Sequence, residues 1–324
     1  MDSVLSWKFM LLAALLLTDS RAPSAQQAAS PIEPGSSQTA VDVCLHRSIA
    51  LTVLRNQEQP ATVLEKVQVL VNGNLANLVS FSTDSGPTRV LLLIDSSASM
   101  GPSNGGEGWG VTLPLAAFAM DAVPLNAAVA VGRFAERLQL SQWQDRNSAR
   151  EQVSSLKYQS PKGSTALYSS VSEAVSVFRE VQFGDTVYLV TDGGDNHSAM
   201  DSHRFVQSLV ARNTRVFVFL VVPKEPYKTS EERDGAQAME DLANLTGGFL
   251  FRLPQSSGWL NTGEAAIVAK QIRETVSSPY QVVFQLAAPL TKPSKLKLET
   301  PLDPKHFTLA YPRRLEPCTT APPH

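Results

Sequence analysis

Five short apolar runs punctuate the middle of the chain, at Val90–Ile94, Ala127–Phe134, Thr186–Thr191, Arg215–Val222 and Gly248–Phe251. They are too short for buried helices and too continuously apolar for strands with one wet face. Each therefore predicts a strand covered on both sides, as in a parallel sheet. Between them the period changes. Leu167, Val171, Ala174, Val175 and Phe178 recur at helical spacing and predict a helix over 165–179. Phe205, Val206, Leu209 and Val210 do the same over 201–213, with Asp201 as N-cap and Asn213 as stop. Ala236, Met239 and Ala243 mark a third helix that ends at Gly247-Gly248, and residues 259–278 read as a fourth. Strand and helix alternate, so the expected class is α/β: an open, mostly parallel sheet with helices on both faces.

The two ends carry a different rhythm. Ser48–Leu54, Val67–Val71 and Leu75–Phe81 read as strands, with turn chemistry at Asn72-Gly73-Asn74. Tyr280–Leu286, Lys295–Glu299 and Phe307–Tyr311 read likewise after Pro279. Lys295–Glu299 alternates Lys with Leu, the pattern of a half-exposed edge strand. The segments expected are an N-terminal β segment at 43–84, an α/β domain at 88–278, a C-terminal β segment at 279–312 and a tail at 313–324. The N-terminal segment is too small to stand alone.

Composition narrows the class. The 324 residues are 43% hydrophobic and 18% charged, which excludes a disordered or fibrous chain. A formal net charge of -2 offers no basic field, so neither nucleic acid nor anionic lipid is an expected partner. Residues 1–25 have the form of an export signal: Lys8, then the apolar Phe9–Leu17, then the small and polar Ser20–Ala25. Nine apolar residues fall short of the roughly 20 that span a bilayer. A mature chain without a membrane span is expected, exported to the periplasm, the cell surface or the medium, with a flexible leader at 26–42. Cys44 and Cys318 leave two readings open: one long-loop disulfide in an oxidising compartment, or two separate thiols.

Open parallel sheets bind ligands where loops leave the carboxyl ends of their strands. The first strand runs VLLLID into SSASM, placing Asp95, Ser97 and Ser99 at a spacing of two. A carboxylate and hydroxyls are hard oxygen donors suited to Mg²⁺ or Mn²⁺. Alone the motif is weak, because Asp and Ser after a strand also cap helices. Two further stretches change its weight. GSTALY puts Thr165 at the start of the strongest helical pattern, and VTDGGDN puts Asp192 at the end of the next strand.

In this order IDSSASM, GSTALY and VTDGGDN resemble a von Willebrand factor type A domain, a Rossmann-like fold, with a complete metal-ion-dependent adhesion site. The wider frame, over about 45–312, resembles exported bacterial proteins related to it. The resemblance implies that the two β segments pair into a small flanking unit. It also implies metal ligation by Ser97, Ser99 and Thr165, with Asp95 and Asp192 often acting through bound water. One coordination position would then stay open for an Asp or Glu of a partner protein. Asp195 and Asn196 are candidates for orienting the ligands or waters, or are plain loop residues. The Gly-rich insert 102–110 departs from the pattern. Its Trp109 is either a partner anchor or locally packed, and its Glu107 a candidate internal ligand.

Competing chemistries fit less well. Gly101-Pro102-Ser103-Asn104-Gly105 matches a hydrolase nucleophile elbow, but Ser103 lies nine residues past Ile94 instead of on the turn after a strand. No phosphate-binding GxxxxGK[ST] is present. The expected function is therefore a non-enzymatic binding or adhesion module. The alternative is a structural or assembly scaffold whose metal only stabilises loops while the flanking strands bind.

Overall fold

A computed structural model describes residues 44–55, 66–83, 89–101, 108–180, 182–212, 214–222, 230–254, 263–276, 280–305 and 307–318. The export signal, the leader, Ser103, Glu107 and Asn213 lie outside the described residues. In chain order the strands are β1 (His46–Arg55), β2 (Gln68–Val71), β3 (Asn74–Thr83), β4 (Arg89–Asp95), β5 (Ala128–Phe134), β6 (Leu138–Leu140) and β7 (Gln144–Asp145). They continue as β8 (Thr186–Thr191), β9 (Arg215–Val222), β10 (Leu250–Pro254), β11 (Tyr280–Gln285), β12 (Ser294–Glu299), β13 (Phe307–Ala310) and β14 (Arg314–Leu315). The α-helices are α1 (Gly108–Ala122), α2 (Arg146–Ser155), α3 (Leu167–Val175), α4 (Ser202–Ala211), α5 (Ser230–Thr246) and α6 (Gly263–Val276).

The central sheet has the order β10-β9-β8-β4-β5-β6. Its first five strands are mutually parallel. The β5 edge is finished by antiparallel β6 and β7, so the sheet is mixed and not uniformly parallel. Alternate residues feed two cores. Val90, Leu92 and Ile94 pack with α1, α2 and α6, while Leu91 and Leu93 pack with α3, α4 and α5. Every residue from Val90 to Ile94 is completely buried, which is why the run reads as continuously apolar.

Helices α1 and α2 are elements the apolar pattern did not single out. Gly108, Trp109 and Gly110 belong to α1 rather than to the Gly-rich insert, and Trp109 packs against the first core. Strand β10 starts at Leu250, two residues later than the expected Gly248. Gly247, at φ 79°, stops α5, and the Gly248 amide returns to the Ala243 carbonyl at 3.0 Å.

The flanking unit is larger than the small unit expected. It is a seven-stranded antiparallel sheet of order β13-β1-β11-β3-β2-β12-β14, in which strands from the two ends of the chain interleave. Its own core gathers Leu51, Val69, Phe284, Leu296 and Leu298, among others. Asn72 and Gly73, at φ 50° and 84°, close the β2–β3 hairpin. Strand β12 alternates buried and exposed residues, yet it is not an edge: β2 lies on one side and β14 on the other. The ordered C-terminal segment therefore runs past residue 312, through β14 to Cys318, which is joined to Cys44 in a disulfide. Arg215, 3% exposed, ties the sheets together, donating Nη1 to Thr52 of β1 at 3.1 Å and Nη2 to Thr186 of β8 at 2.7 Å. Among the described residues no helix is long and apolar enough to cross a membrane.

Candidate metal centre

The chain direction around the sheet changes between β4 and β8. Strand β5 follows β4 on one side, and β8 comes back on the other. Loops leaving neighbouring strands on either side of such a switch point diverge and open a crevice. Asp95 ends β4 and Asp192 follows β8 directly, so both carboxylates stand at this crevice.

Backbone hydrogen bonds fasten three loops together there. Ala98 donates to the Gly163 carbonyl at 3.0 Å, and Lys162 to the Ser96 carbonyl at 2.9 Å. Asn196 and His197 both donate to the Thr165 carbonyl at 3.0 Å. On the far side Ser96 is fixed to the Phe134 carbonyl of β5 through its amide at 2.7 Å and its hydroxyl at 2.9 Å. The segments that hold Asp95, Thr165 and Asp192, distant in sequence, thus form one rigid rim.

Within the first loop Asp95 is fully buried, and its Oδ1 accepts from the Ser97 amide at 2.9 Å. Ser97 precedes a three-residue 3-10 turn but makes no side-chain cap bond to it. Its hydroxyl instead lies 3.0 Å from the Ser99 hydroxyl. The helix-capping explanation of the motif is thereby removed, and two hydroxyl oxygens converge beside a carboxylate.

The other Asp95 oxygen is held by a residue the sequence reading passed over. Thr191, the last residue of β8, donates its hydroxyl to Asp95 Oδ2 at 2.8 Å and accepts from the Gly193 amide at 3.0 Å. Its only sequence signal was a hydroxyl at the end of a buried apolar strand. Gly193, at φ 88°, turns the chain after Asp192. A Cβ on Gly235 of α5 would fall on the Gly193 carbonyl oxygen, so a glycine lets the helix press against this loop.

Burial, then repulsion from Asp192, pushes the Asp95 carboxyl up to about 7, against hydrogen bonds from Ser97 and Thr191 that favour its ionised form. Among the described residues no cationic side chain acts on it. Two acids and several hydroxyls form a donor set that fits a divalent metal ion. Among the described residues no cluster of three or more His, Cys, Asp or Glu is present, so a site here would be hydroxyl-rich.

Thr165 is 4% exposed, and its amide donates to Asn196 Oδ1 at 2.9 Å. Asp195 accepts from the Tyr168 amide at 2.8 Å, and Ser198 from the Ser169 amide at 3.0 Å. Ala166 offers α3 no side-chain cap, so the 195–198 loop supplies one from outside. Asp195 and Asn196 therefore hold the Thr165 loop in place.

A mostly parallel sheet with helices on both faces, and an Asp-hydroxyl rim at its switch point, is the architecture that the sequence resemblance implied. In this the central domain is similar to a von Willebrand factor type A domain. No family model and no curated protein matches the sequence. Solved structures similar to the chain include a von Willebrand factor type A protein from Catenulispora acidiphila. It is 13% identical, covers 86% of this chain and 75% of that one, and has a TM-score of 0.48. Manganese-loaded Plasmodium vivax TRAP protein is 14% identical over 76% of this chain and 95% of that one, with a TM-score of 0.42. The ArnB paralog VWA2 from Sulfolobus acidocaldarius is 11% identical over 84% and 76%, with a TM-score of 0.42. What the rim does rests on its own residues.

Proposed function

We propose that the chain is an exported, non-enzymatic protein-binding module that holds Mg²⁺ or Mn²⁺ on Asp95, Ser97, Ser99, Thr165 and Asp192 and engages an Asp or Glu of a partner protein. One observation carries this reading: the Ser97 and Ser99 hydroxyls lie together beside Asp95, a fully buried carboxylate that also feels the charge of Asp192. A bound divalent ion would offer an open position to an acidic side chain. The chain's own part is to keep the donors fixed. Ser97 and Thr191 orient Asp95, Gly194 donates to Asp192 at 3.1 Å, and Asn196 holds the Thr165 backbone. Such preorganisation spares the site the entropy of gathering three loops when the metal binds.

The test is a Mn²⁺ titration of the mature chain. Ser97→Ala combined with Ser99→Ala should weaken Mn²⁺ affinity at least ten-fold, about 1.4 kcal/mol, with an unchanged circular dichroism spectrum. Equal titration of variant and wild type would refute the metal site.

A scaffold reading is favoured by one other observation. Leu75 and Val79 of β3 are 69% and 51% exposed on the antiparallel sheet, a surface that could bind without metal. Partner capture abolished by EDTA and restored by Mg²⁺ supports the metal-bridged reading. Capture that survives both EDTA and Asp95→Ala supports the scaffold.

A further inference from the structure

Next to the metal rim lies a cleft of about 330 Å³, and two of its wall residues, Ser96 and Gly163, belong to the rim loops. The rest of the wall is dominated by charge, with Arg133, Arg137 and Lys162 against the single carboxylate of Glu136. That carboxylate is already engaged, accepting from the Ser164 amide at 3.2 Å. Arg133 is steered by one bond, from its Nε to Gln139 Oε1 at 2.9 Å, which leaves its Nη groups toward other acceptors. Among the described residues none of the three cations forms an ion pair. The cleft therefore carries an excess of two positive charges on a chain whose formal total is -2.

The register fixes how near this cleft is to the site. On adjacent parallel strands Ile94 pairs with Arg133 and Asp95 with Phe134. The Ser96 carbonyl that accepts from Lys162 belongs to the residue between Asp95 and Ser97. One short extended segment can cover both places.

We infer that this cleft is a second acid-binding position, and that the partner presents an acidic segment with one carboxylate for the metal and another for Arg133, Arg137 and Lys162. The inference rests on the proposed metal-bridged reading. Charge complementarity selects the occupant, since unpaired guanidinium and ammonium groups on a cleft wall attract carboxylates and suppress basic partners. A sulfated polysaccharide fits less well. It is held by a long basic stripe, whereas three cations here share one compact cleft.

The probes are two capped peptides, a Gly decamer with one central Glu and a decamer of alternating Glu and Gly, measured by fluorescence against the mature chain in Mn²⁺. The alternating peptide should bind about ten-fold tighter than the single-Glu peptide. That advantage should disappear in Arg137→Gln with Lys162→Gln, two exposed side chains whose charges together carry about that much. The variant should titrate Mn²⁺ and bind the single-Glu peptide as wild type does. An alternating peptide with no advantage, or one whose advantage survives the double substitution, overturns the second position. Displacement by low-molecular-weight heparin at lower concentration than by the peptide overturns the acidic-segment occupant. Failure of the metal reading is separately visible, as an absent Mn²⁺ titration or EDTA-insensitive binding of the single-Glu peptide.

Discussion

Strand β8 buries all six of its residues, whereas β12 buries three and exposes three in strict alternation. The first lies between two layers of helices, the second in a sheet with one packed face. A strand clamped on both faces has little freedom to shift, so the loops at its carboxyl end start from fixed points. Asp95, Thr191 and Asp192 exploit this at the ends of β4 and β8. The antiparallel sheet is assembled from the two ends of the chain and joined by the Cys44–Cys318 disulfide and by Arg215. The comparison teaches that one sheet supplies a platform for chemistry, while the other ties the chain ends together and offers a face to solvent.

The largest effect is expected in the platform. Phe219 is fully buried and packs against the Tyr188 and Phe251 rings. Phe219→Ala should cost about 3–5 kcal/mol in urea unfolding and take the Mn²⁺ titration with it as the domain melts. A loss under about 1 kcal/mol would contradict the close-packed core. Next is the staple: Cys44→Ser with Cys318→Ser should cost about 2–4 kcal/mol while leaving Mn²⁺ affinity within about two-fold. A large drop in affinity would break the comparison by showing that the antiparallel sheet supports the metal loops.

Asp195→Ala should cost about 1 kcal/mol through the lost cap of α3. It should also weaken Mn²⁺ binding about five-fold, because the Thr165 loop is freed. An unchanged affinity would place Asp195 in helix stability alone. The smallest change is expected for Leu75→Ser with Val79→Ser on the open face, within about 0.5 kcal/mol in urea. A larger loss would mean that this face is packed in solution.

The recurrence of apolar residues located every parallel strand of the central sheet within three residues, because strands covered on both faces leave an unmixed signal. The chain ends were legible as strands but not as a sheet of this size. Strands β12 and β14 pair only through contacts distant in sequence, and a half-exposed strand looks the same in the middle of a sheet as at its edge. Helix α1 went unread because its apolar and small residues fall almost all round it, without the one-sided stripe that marks a surface helix. Asp95, Ser97, Ser99 and Asp192 stood out as hard oxygens after strands, and Thr165 as one at the start of a helix. Thr191 did not, since its role depends on which carboxylate lies across the sheet.

By itself the sequence determined most of the elements and the kind of atoms at their ends, because periodicity and donor chemistry are local properties of the chain. Only the tertiary structure decided that the loops bearing those oxygens share one rim, that Asp195 and Asn196 serve to hold a loop, and that Arg133, Arg137 and Lys162 line a common cleft. These facts depend on strand order, and strand order is set by burial summed over the whole molecule and by no single stretch of it.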